Sequence, residues 1–115
     1  MITLYGIPNC DSIKKAKQFL QQAEVEFVFY NYKKQAVTSK LLQSWISEFG
    51  WEKVLNKRGT TYRQLSTEQK NNLNKDNVID LLIEQPSMIK RPIISNGTQT
   101  LIGFSADQYQ QFINQ

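Results

Sequence analysis

The residue best suited to covalent chemistry is Cys10, the one cysteine of a 115-residue chain that has no histidine. Those two counts remove the internal disulfide, the cysteine-rich zinc cluster, the Ser-His-Asp triad and every His-ligated metal site. What remains is thiolate chemistry. A thiolate can attack a disulfide, and with no second cysteine the resulting mixed disulfide must be released by a thiol from outside the chain. Arg58, Arg63 and Arg91 are the only guanidiniums available to stabilise an anion beside it.

Cys10 sits in the polar run Pro8-Asn9-Cys10-Asp11-Ser12, where a loop gives way to a helix. Backbone N–H groups at a helix start have no intrahelical partner, and the helix dipole is positive there. The dipole is worth about 0.3–1 kcal/mol at a surface and up to ~2 kcal/mol when partly buried, or roughly one pKa unit at ~1.36 kcal/mol per unit. Asp11 works against the thiolate and Lys14, one turn along, works for it, so an arginine from elsewhere has to complete the stabilisation. Most lone cysteines are small buried hydrophobes. A buried one belongs on an apolar stripe, however, and this polar setting favours a reactive thiol.

The elements that position the thiol follow from apolar periodicity. Ile2-Thr3-Leu4-Tyr5 is a β-prone run ended by Gly6 and Pro8. Ile13, Ala16, Leu20 and Ala23 recur at helical spacing behind a cap at Asp11 or Ser12, leaving Lys14, Lys15 and Gln18 toward water. Phe27-Val28-Phe29-Tyr30 predicts a second strand, and its unbroken apolar character predicts burial on both faces. A β-α-β unit of this kind is parallel. Helices are then predicted from a cap at Thr38 or Ser39 to Gly50, as a short turn over Trp51–Leu55, from Ser66-Thr67-Glu68, and over Asp76–Gln85 before Pro86, with Asn56–Thr61 as a loop. Pro92–Ser95 and Thr100–Phe104 predict a hairpin turning at Asn96-Gly97, and a last helix runs from a cap at Ser105 to Ile113. Together these describe an α/β domain over residues 1–115: a thioredoxin-like fold with a small mixed four-stranded sheet, helices on both faces, and an all-helical insertion at about residues 37–86.

Charge adds little. Fourteen basic and 10 acidic residues leave +4, and the lysines are scattered, so no nucleic-acid partner is expected. No apolar run reaches the roughly 18 residues of a membrane span, and MITLYGIPNC lacks a signal peptide's basic start and apolar stretch. The expected setting is the cytoplasm, away from membranes, where a lone thiol stays reduced.

Three blocks, L-Y-G-I-P-N-C-D-S-I-K-K-A (Leu4 to Ala16), W-E-K-V-L-N-K-R-G-T-T-Y-R-Q-L (Trp51 to Leu65) and I-K-R-P-I-I (Ile89 to Ile94), give the chain a resemblance. In order and spacing it resembles the arsenate reductase (ArsC)/Spx family, most closely its short YffB-type members. The resemblance implies a thioredoxin-like fold with Cys10 as redox nucleophile. It also implies that Arg91 is an anion-holding arginine and that the Arg91–Pro92 bond is cis and close to the sulfur. In ArsC enzymes the thiolate attacks arsenate, three arginines hold the oxyanion, and glutathione with glutaredoxin resolves the adduct.

The chain departs from that pattern. Leu101-Ile102-Gly103-Phe104 carries no positive charge where ArsC places another arginine, and Asn56 matches the second oxyanion arginine, with Arg58 two residues later as substitute. The histidine that precedes the ArsC cysteine is absent. One or two guanidiniums in place of three predict weak arsenate reduction. Spx-like regulators carry a C-x-x-C switch and bind the RNA polymerase alpha subunit; here Ile13 occupies the resolving position, so no internal switch forms.

The expected function is a glutathione-dependent thiol reductase in which Cys10 is the nucleophile and Arg91 lowers its pKa and orients the anion. Asn9, Lys14, Arg58 and Pro92 are the expected substrate- or anion-binding residues. No metal and no bound cofactor are expected, glutathione is the co-substrate, and glutaredoxin is a candidate partner. The alternative is a non-catalytic, Spx-like module that docks on a protein such as RNA polymerase.

Overall fold

The computed structural model describes residues 1–114, which form two compact units. Met1–Asn31 and the chain from Arg91 onward make the unit that carries the sheet, and Tyr32–Lys90, inserted between them in sequence, is helical.

In the sheet unit, β1 (Ile2–Gly6) leads through a loop to α1 (Asp11–Gln22), and β2 (Phe27–Asn31) returns parallel to β1, with Leu4 opposite Phe29. β3 (Ile93–Ser95) pairs antiparallel with β1 on its other side and β4 (Thr100–Ile102) antiparallel with β3, giving the order β2-β1-β3-β4. The mixed four-stranded sheet of the sequence reading is therefore present. A last helix, α7 (Ala106–Ile113), is capped by Ser105, whose Oγ accepts the Gln108 N–H at 3.3 Å.

One core holds this unit together: Leu4 and Ile94 from the sheet, Ala16 and Leu20 from α1, and Tyr109 and Phe112 from α7, all essentially inaccessible. Phe19, Phe104 and Tyr109 meet edge to face within it, with Phe104 and Tyr109 rings 4.9 Å apart. Burying each such side chain contributes about 1.5–3 kcal/mol, which fixes α1, and with it the loop before α1, against β1.

Two strand expectations need correction. β2 is not buried on both faces: it lies at the sheet edge, and Val28, whose side chain alternates away from Phe27 and Phe29, is 50% exposed. Nor does the hairpin turn on Asn96-Gly97. Asn96 N–H donates to the Gln99 carbonyl at 3.1 Å, so the two central residues are Gly97 and Thr98. Gly97, at φ 97°, takes the first central position, where a type II′ turn wants glycine. Asn96 instead uses Oδ1 to accept the N–H groups of Thr98 and Gln99 at 3.0 and 2.8 Å.

The helical unit follows its caps. Thr38 Oγ1 accepts the Leu41 N–H at 3.2 Å to open α2 (Ser39–Phe49), which ends at Gly50 with φ 88°. Short helices α3 (Trp51–Val54), α4 (Thr60–Arg63) and α5 (Thr67–Asn71) follow, then α6 (Asn77–Glu84) and a 3-10 turn, Pro86–Met88. α5 opens with a reciprocal box between Ser66 and Gln69. α4 was not expected: it is one turn long and starts inside a polar loop with no apolar period to announce it. No helix among the described residues is long and apolar enough to cross a membrane.

Candidate active site

Cys10 itself, rather than Asp11 or Ser12, is the N-cap of α1. Its backbone is extended (φ −104°, ψ 133°), and its carbonyl accepts the first helical bond from the Lys14 N–H at 3.0 Å. Asn9, exposed, turns the chain into that position with φ 64°, a left-handed conformation that asparagine tolerates better than most residues. The thiol is partly exposed and unpaired, so it stands in the place of the hydroxyl or carboxylate that usually caps a helix. Sulfur does not close the cap as an oxygen does, but its position leaves it facing the same amides.

Those amides decide its ionisation. Partial burial pushes the thiol's pKa up. Against it, the Ile13 backbone amide, the Arg91 side chain and the Ser12 backbone amide favour the thiolate, and the Arg91 charge adds its attraction. The net effect is a pKa below that of an ordinary thiol. Lys14 and Asp11 are both exposed.

Arg91 reaches this place because the chain re-enters the sheet unit there, immediately before β3. The Arg91–Pro92 bond is cis, as the family resemblance implies. Pro92 is buried, and its carbonyl accepts the Gly103 N–H at 2.8 Å, tying the end of β4 back to the entry of β3. Gly103 has φ 82°, a conformation that suits glycine.

The structure thus gathers Asn9, Cys10, Lys14, Arg91 and Pro92 into one unit, and it brings Arg91 onto the sulfur. Arg58 belongs to the helical unit, exposed in the loop before α4, where its N–H donates to Asn56 Oδ1 at 3.2 Å. Asn56 is likewise spent on its own loop. Phe104 packs in the aromatic core with Phe19 and Tyr109. Sequence reasoning missed Ser12 and Ile13, which act through backbone N–H groups that no side-chain motif reveals. The signal was available in the position of Cys10, once the cysteine is treated as the cap. Among the described residues no group of three or more His, Cys, Asp or Glu side chains could hold a metal ion.

A capping thiol beside an arginine that precedes a cis-proline, on a β-α-β unit closed by a hairpin, is set on a thiol-redox fold of the thioredoxin-like class, which its solved structural neighbours share. The ArsC family model matches residues 5–112, and the chain belongs to that family. An uncharacterised protein of Haemophilus influenzae is 41% identical over 110 residues, covering 96% of each chain. Global transcriptional regulator Spx 1 of Lactococcus lactis is 33% identical over 115 residues, covering 98% of this chain and 89% of that one. The solved structure of the YFFB (PA3664) protein superposes with a TM-score of 0.92 at 42% identity, covering 96% of this chain and 97% of the other.

Proposed function

We propose that the protein is a glutathione-dependent thiol reductase. The observation that carries this reading is a partly exposed thiol whose ionisation is favoured by the Ile13 and Ser12 N–H groups and Arg91, in a chain with no second cysteine. In the first step the Cys10 thiolate attacks the glutathione sulfur of a mixed disulfide. A Cys10–glutathione disulfide forms, the substrate's S–S bond breaks, and the departing thiolate takes a proton from water. In the second step a glutathione thiolate attacks that adduct, releasing glutathione disulfide and restoring the Cys10 thiolate. Over both steps, the mixed disulfide and one glutathione thiol become glutathione disulfide and the free substrate thiol, the proton lost by that glutathione balancing the one taken up by the substrate.

Arg91 serves both steps by holding negative charge on the Cys10 sulfur, as the attacking thiolate in the first and the leaving thiolate in the second. Pro92 and the adjoining backbone are the proposed docking point for the glutathione peptide, and Asn9 and Lys14 the polar groups proposed to meet its carboxylates. Arsenate is a proposed poor substrate, since only one guanidinium acts on the sulfur. The cytoplasm, where glutathione is abundant, is the proposed setting.

The test is reduction of a glutathione mixed disulfide at fixed glutathione, followed through glutathione disulfide formation. Turnover is expected for the native chain and its loss to the uncatalysed rate for Cys10→Ser; equal rates for the two would refute the reading. The Spx relatives support a second reading, a regulatory module that acts by binding a protein. That reading expects Cys10→Ser to keep its biological effect.

A further inference from the structure

We propose that Gly6 is a positioning residue for the Cys10 thiolate: the space left by its missing Cβ seats Ile13, and with it the first turn of α1, beside the sulfur. The inference rests on Cys10 acting as a thiolate nucleophile. Gly6 ends β1 and is buried. Its φ lies outside the left-handed range, so backbone conformation does not demand glycine there. Space does. A Cβ at this position would overlap Ile13 Cδ1, stand 2.9 Å from Ile13 Cγ1, and touch Arg91 Cβ at 3.7 Å.

Ile13 is 1% exposed and cannot turn into solvent. Its Cδ1 could swing about χ2. Moving Cγ1 requires the β-branched side chain to leave the one χ1 well that helices favour. The backbone must therefore yield, and the first turn of α1 moves off the end of β1. That turn carries the Ile13 and Ser12 amides that favour the thiolate, and Arg91, the third group to do so, borders the same methyl-sized gap from the segment before β3. One added carbon thus collides with Ile13, whose backbone amide favours the thiolate, and lies in ordinary contact with Arg91.

The experiment follows the pH titration of Cys10, read by thiolate ultraviolet absorbance, and its iodoacetamide rate in the native full chain and three variants of it. Gly6→Ala is expected to titrate higher than the native chain and to alkylate about threefold more slowly at neutral pH. Gly6→Ala combined with Ile13→Ala, which removes both colliding carbons, is expected to return to the native titration. Leu20→Val, which loosens the core of the same unit away from the site, is expected to lower the melting temperature and leave the titration unchanged. A merely structural role for Gly6 would move the melting temperature without moving the titration. A native-like titration in folded Gly6→Ala therefore overturns the proposal, as does an elevated titration in the double variant. Should Gly6→Ala alone fail to fold, the double variant decides: folded with a native titration it supports the assignment, and unfolded it contradicts it. An ordinary thiol in the native chain overturns the thiolate reading and this inference together, whereas a low native titration that Gly6→Ala leaves in place overturns this inference alone.

Discussion

At the scale of single residues, the thiol owes its ionisation to backbone amides as much as to charge. The backbone amides of Ile13 and Ser12 and the Arg91 side chain all favour the thiolate. Removing Arg91 should weaken the effect without abolishing it. Arg91→Ala is expected to raise the titration of Cys10 and slow its reaction with glutathione disulfide at neutral pH on the order of tenfold, the scale of a hydrogen bond to a charged group. Arg91→Lys should fall between, since a lysine keeps the charge but loses the planar fork. Stopped-flow rates against pH check both, and unchanged rates in Arg91→Ala would contradict the role assigned to it. The thiol is also linked to stability. Because its pKa is depressed in the folded chain, the unfolded chain binds more protons between the folded value and the ordinary value of about 8.5. Stability contributed by the thiolate is therefore present above the ordinary value and lost as pH falls through the folded one. Urea unfolding of the reduced protein minus that of Cys10→Ser should show a difference that rises with pH across this window. A flat difference would mean that the fold does not favour the thiolate.

At the scale of elements, α1 and α7 meet in one core, and Tyr109 is its largest fully buried side chain. Its hydroxyl is buried without a hydrogen-bond partner, and burial raises its pKa far above the ordinary tyrosine value. A buried unpaired hydroxyl costs stability. Tyr109→Phe, which keeps the ring contacts with Phe19 and Phe104, is expected to leave stability unchanged or raise it by about 1 kcal/mol, measured by chemical denaturation; a loss of that size would reveal a partner for the hydroxyl. Elements were also what the sequence announced best. Apolar spacing from Ile13 to Leu20 located α1, and the caps at Thr38, Ser66 and Ser105 stand where their residue types said. The cap of α1 was misplaced because Asp11 and Ser12 are both stronger cap formers than cysteine. The burial of β2 was misjudged because four apolar residues in a row do not say whether a strand lies inside a sheet or at its edge. The turn slipped by one residue because Asn96 can either enter a left-handed turn or fold its side chain over the next amides, and only the pairing of Ser95 with Thr100 settles which.

At the scale of the whole molecule, sequence carried the class of fold and the polar helix-start setting of Cys10, while the packing of Gly6 on Ile13 depends on contacts that no residue type advertises. Arg58 lies in the helical unit while Cys10, Arg91 and Pro92 lie in the sheet unit, so the parts of the molecule divide as scaffold for a sulfur and a separate helical body inserted between β2 and β3. A single thiol on such a scaffold accepts one partner at a time and cannot release it unaided. Mass spectrometry of the intact, folded chain after incubation with glutathione disulfide at neutral pH tests this most directly. The account predicts one glutathione adduct, located at Cys10, absent from Cys10→Ser and removed by added glutathione. An unmodified native chain, under conditions that modify an ordinary exposed thiol, would contradict it.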